Sequence, residues 1–157
     1  MAYTFFFIYL ILICSALFIC NSFRRIKLGH IIIGITSAAY SIAVDIIIGD
    51  NLGYYFYLDH GRSTFYIVVA GILIYPVLNI IYVLFLPERG RRFLVYTALW
   101  TIAMILFEYL TLKQRIVVFT GWKPIPWSLA LYALTYLWIN IFYRYLKRKN
   151  TTSNPIF

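Results

Sequence analysis

Two carboxylates, Asp45 and Glu108, stand alone inside long apolar stretches of a 157-residue chain that holds only five Asp and Glu in all. At the centre of a membrane-spanning helix a charged side chain costs about 2.5–3.5 kcal/mol even on the lenient insertion scale, so such an acid calls for a partner, a wet cavity or a task. Three chemistries are open to the pair. They can take up a proton or cation, act as general acid and base on a bilayer-borne substrate, or fix helix packing through hydrogen bonds. Four further polar residues accompany them as candidates: His60 and Arg115 in the connecting segments, and Asn79 and Asn140 at another depth.

The elements that must position these residues follow from composition. With 63% hydrophobic and 12% charged residues, the chain lies far from the soluble average of about 25% charged. It reads as an integral membrane protein of all-α class, a polytopic helix bundle forming one domain over residues 1–149. A helix rising ~1.5 Å per residue needs about 20 residues to cross the hydrocarbon. Five transmembrane helices are expected, at Tyr3 to Cys20, Ile31 to Ile48, Phe65 to Leu86, Phe93 to Leu112 and Trp127 to Tyr145, with 150–157 as a short polar cytoplasmic tail. Basic clusters, a Pro-Glu-Arg-Gly turn from Pro87 and a Lys-Pro-Ile-Pro break from Lys123 punctuate the runs.

Orientation follows from the cations. Arg24, Arg25 and Lys27, then Arg89, Arg91 and Arg92, then Arg144, Lys147, Arg148 and Lys149 all fall at one end of alternating spans. The positive-inside rule then gives an outer N-terminus and a cytoplasmic C-terminus in the cell membrane. The net charge of +9 accordingly reads as topology and contact with anionic headgroups at the inner face, not as nucleic-acid binding. Arg62, Lys113, Arg115 and Lys123 lie at the other end. Both acids are expected near that outer face, Glu108 about 22 Å along its helix. The outer cations and His60 are their expected neighbours.

Asn79 and Asn140 sit about 20 Å from the outer ends of their helices. They are expected in the inner half, chiefly as interhelical glue. Pro76 frees a backbone carbonyl in the third span, so Tyr75, Pro76 and Asn79 mark a bend that can line a cavity. Gly34, Ser37, Ala38 and Ser41 permit close approach of the second span to a neighbour. The separations from Asp45 to Asn79 and from Glu108 to Asn140, 34 and 32 residues, suggest one helix followed by two parallel hairpin repeats. Tyr54, Tyr55, Tyr57, Trp122 and Trp127 are expected in an interfacial aromatic belt.

Several chemistries have no signature. There is no nucleotide loop, serine elbow or His-Glu-x-x-His zinc pattern, His30 and His60 are unclustered, and Cys14 and Cys20 read as packing residues. No cofactor and no metal is expected. The series Ile74-Tyr75-Pro76, Leu86-Pro87, Tyr96, Trp100, Phe107-Glu108-Tyr109, Gly121-Trp122 and Trp127-Ser128, preceded by Asp45 and the Tyr54 to Tyr57 segment, resembles a family of uncharacterised small multi-spanning membrane proteins of endospore-forming Gram-positive bacteria. The resemblance covers roughly residues 40 to 149. It implies about five spans and a plasma-membrane setting, and carries no activity with it. Three functions stay open: a non-enzymatic binding or envelope component with an outer-leaflet acidic site, a proton- or cation-coupled small transporter acting as a homo-oligomer, and a lipid-modifying enzyme using two carboxylates.

Overall fold

The computed structural model describes residues 1–88 and 90–150; Arg89 and the tail over 151–157 lie outside the described residues. Five helical spans form an all-α bundle. The first is α1 (Ala2–Phe23), and the second is α2 (Leu28–Asp45) continued by a π-helical turn (Ile46–Asn51). The third joins α3 (Ser63–Val69), a π-helical segment (Ala70–Ile74) and α4 (Tyr75–Leu84). The fourth is α5 (Arg91–Lys113), and the fifth joins an irregular turn (Pro124–Ser128) to α6 (Leu129–Asn150). Most of these helices extend one to five residues beyond the apolar runs. The third instead stops at Leu84, ahead of the expected Leu86.

The bundle is apolar on the outside. Phe18, Leu99, Leu106, Leu134 and Ile141 are each exposed by more than half, which in water would form an aggregating surface and in hydrocarbon is the solvated one. On α1 only Phe6 is buried, against Tyr66 of α3 with ring centroids 5.5 Å apart.

Close approach between α2 and the third span follows from small residues, as expected. A Cβ at Gly34 would stand 2.7 Å from Ile80 Cδ1, and one at Gly71 would collide with the Ile42 side chain. The π-helical widening at Ala70–Ile74 immediately precedes Pro76. The proline ring would otherwise press on the carbonyl four residues back, and a wider turn relieves that clash.

A two-stranded antiparallel sheet joins the two connections at one end of the bundle. Strands β1 (Tyr55–Tyr57) and β2 (Val117–Phe119) pair with Tyr55 opposite Phe119, Phe56 opposite Val118 and Tyr57 opposite Val117. The ladder continues at both ends through Leu58 N–H to Ile116 O at 2.8 Å and Thr120 N–H to Tyr54 O at 2.9 Å. Its local twofold runs through the Phe56 and Val118 pair. Elsewhere in the bundle Thr135 of α6 reaches Tyr40 of α2, and Tyr82 of α4 shares a 2.9 Å hydrogen bond with Thr97 of α5.

Candidate functional site

The sheet roofs a cavity of about 110 Å³ at the bundle centre, and all five spans contribute to its wall. Both acids line it. Asp45 ends α2 directly beneath β1, and Glu108 lies on α5 a little more than one turn before the chain leaves for β2.

Asp45 is 8% exposed and is held by the roof. Tyr55 Oη donates to its Oδ1 at 2.6 Å, and Tyr57 Oη donates to its Oδ2 at 3.3 Å. Alternate strand residues share a face, so the spacing of Tyr55 and Tyr57 sends both rings inward together. Tyr75 Oη stands 2.7 Å from Tyr57 Oη and extends the chain of hydroxyls into the third span. Burial, with Asp45 adding to it, pushes the phenols of Tyr55 and Tyr57 above the ordinary tyrosine range. They stay protonated and therefore serve as donors.

Glu108 is half-buried and held from the fifth span. Ser128 Oγ donates to Oε1 at 2.6 Å, and Tyr132 Oη donates to Oε2 at 2.7 Å. Four residues apart on successive turns, Ser128 and Tyr132 face the same way. Trp122 Nε1 donates in turn to Ser128 Oγ at 2.8 Å, fixing the serine from the connection that follows β2.

Neither acid takes the cationic partner expected for it. Arg62, Lys113, Arg115, Lys123 and His60 are all exposed, and none belongs to the cavity wall. His60 instead lies edge-on to Phe56 with centroids 5.2 Å apart, and Arg115 occupies a left-handed backbone position with φ of 56° in the turn before β2. Hydroxyls reach the acids because their backbones are tied to the roof and to α6. Long basic side chains at that end extend into solvent, where their hydration is kept.

The two asparagines part company. Asn79 lines the deep end of the cavity, 8% exposed and with no side-chain hydrogen bond among the described residues. Asn140 lies outside the wall, where its Nδ2 donates to Tyr82 Oη at 2.9 Å in a cluster with Tyr96 and with Tyr136, the one member that also lines the cavity. Ser37 lies near Asn79's end of the wall, 1% exposed, its Oγ also unpartnered among the described residues. Ser37 precedes Asp45 by two turns, about 12 Å along α2. The cavity is therefore polar at both ends and ringed with aromatic side chains between.

Tyr55, Tyr57, Ser128 and Tyr132 are the site residues that sequence reasoning missed. Tyr55 and Tyr57 are buried under the roof and do not join an interfacial belt, whereas Tyr54 and Trp127 remain exposed. The available signals were the alternation in Tyr-Phe-Tyr and the four-residue spacing from Ser128 to Tyr132. An irregular or π-helical turn abuts Asp45, Tyr75 and Ser128 alike, and such segments recur where helices serve a site.

Compared with known proteins, the chain matches no family model, no curated protein and no solved structure.

Proposed function

We propose that this protein is a membrane-embedded, non-enzymatic binding protein that holds a positively charged ligand between Asp45 and Glu108. The observation that carries the reading is the wall itself: among the described residues the two carboxylates are held by hydroxyl donors alone, and no Lys, Arg or His lines the cavity. Removing such groups from water without a counter-charge is expensive, and a bound cation or proton supplies it. In this account the protein belongs to the cell membrane, the roofed end faces outward and the basic end meets anionic headgroups. The resemblance to small membrane proteins of endospore formers suits that setting.

The test is unfolding of the purified protein in nanodiscs across a range of pH and monovalent cation concentration. Saturable stabilisation by a cation or by protons that is lost in both Asp45→Asn and Glu108→Gln supports the reading. A wild type indifferent to cations and to pH contradicts it.

Ser37 and Asn79 favour one second reading, an ion-coupled carrier. The unpartnered Ser37 Oγ, two turns below Asp45, and the Asn79 amide in the same wall extend the polar path inward. Acid-dependent flux in proteoliposomes would establish it, and absence of flux over a broad substrate and pH panel would dismiss it.

A further inference from the structure

We propose that the ligand is a small organic ammonium ion, free or carried as a lipid headgroup, seated among the aromatic rings between the two acids. The inference rests on the binding reading above and adds the ligand's chemistry.

Charge decides the sign and the rings decide the class. Eleven of the twenty-six wall residues are Phe, Tyr or Trp. Ring faces attract alkylammonium groups, and aromatic cages are the recurrent solution for such ligands. A divalent metal ion needs six or more oxygen ligands in the case of calcium or magnesium, or a compact His, Cys and carboxylate set in the case of zinc. Among the described residues no three His, Cys, Asp or Glu side chains converge. A proton would satisfy one acid but has no use for an aromatic chamber of about 110 Å³.

The unpartnered polar groups point the same way. Ser37 is 1% exposed and its Oγ finds no partner among the described residues, although it faces the cavity. A buried hydroxyl left without a partner forfeits the hydrogen bonds it made to water, and a bound ligand can restore them. Together with Asn79 it offers hydrogen bonds to the far end of an occupant whose charged end meets the carboxylates. Tyr9 and Phe107 close one side, with ring centroids 5.5 Å apart. That contact gives α1 a role in the site: it completes the aromatic wall.

The experiment uses the full chain in nanodiscs of phosphatidylglycerol, which carry no amine headgroup. Tetramethylammonium, ethylammonium and sodium chlorides are titrated at constant ionic strength, with unfolding temperature and tryptophan fluorescence as readouts. The proposal expects saturable binding of at least one ammonium ion at least tenfold tighter than sodium. Phe107→Leu should weaken that binding threefold or more. Because Phe107→Leu keeps both acids and an apolar side chain, it serves even where an acid variant fails to fold. Equal responses to sodium and to both ammonium ions, dependent on the acids, would overturn the ammonium proposal and leave a simple cation site. No response to any cation or to pH would overturn both. A second preparation containing phosphatidylethanolamine separates the sources: competition with free ammonium identifies a headgroup, and unchanged affinity identifies a soluble amine.

Discussion

Tyr55 reaches down from the roof strand to donate a 2.6 Å hydrogen bond to Asp45, the last residue of α2. The bond ties the only sheet among the described residues to a buried acid. Sheet, second span and cavity therefore behave as one unit, and disturbing the strand disturbs the acid.

Tyr55→Phe should lower stability by about 1–3 kcal/mol, because it strands a buried acceptor while leaving the ring in place. Reversible unfolding in mixed micelles measures it. Tyr54→Phe, at an exposed ring, should change stability by no more than about 0.5 kcal/mol. Equal effects from the two substitutions would deny the Asp45 bond any weight.

Roof register is open to chemical test. Phe56 and Val118 face each other across the ladder, and residues so paired have Cα atoms about 5.5 Å apart, within disulfide range. With Cys14 and Cys20 replaced by Ser, Phe56→Cys with Val118→Cys should lose both maleimide-reactive thiols on mild oxidation. Persistent labelling at both positions would place the strands in another register.

Gly71→Ala should cost about 1–3 kcal/mol through overpacking against Ile42. Adding Ile42→Ala should recover part of that loss, because the side chain in the way is shortened. If the double variant is the plain sum of the two single losses, the contact is not where α2 meets the third span.

Asn140→Ala should cost about 0.6–1.7 kcal/mol, the range for interhelical hydrogen bonds in membranes. Combined with Tyr82→Phe, which also gives up the Thr97 bond, the loss should be less than additive, since both substitutions remove the Tyr82–Asn140 contact. Ligand response should be untouched, because neither residue lines the cavity. A lost response would extend the site to Asn140.

The helices and the two acids were legible because membrane solvation imposes long apolar runs and makes any interruption conspicuous. Close packing at Gly34 was legible for the same reason: residue size decides it locally. The partners of the acids were not. Tyr55 approaches Asp45 only after β1 pairs with β2, a contact between segments more than fifty residues apart. Three-residue strands give too little alternation to announce themselves, and tyrosines near a membrane surface ordinarily suggest a belt. Ser128 and Tyr132 were hidden differently. Serine and tyrosine are common in spans, and nothing in their local pattern names Glu108, twenty residues earlier, as the acceptor.

In the proposed function Asp45 and Glu108 form one site. Titration of the ammonium ion into wild type, Asp45→Asn, Glu108→Gln and the double variant, all in nanodiscs free of aminolipid, tests it most directly. One shared site predicts that each single substitution weakens binding at least tenfold and that the double variant is weakened much less than the product of the two effects. Independent losses that multiply in full, or a single variant that binds like wild type, would contradict it.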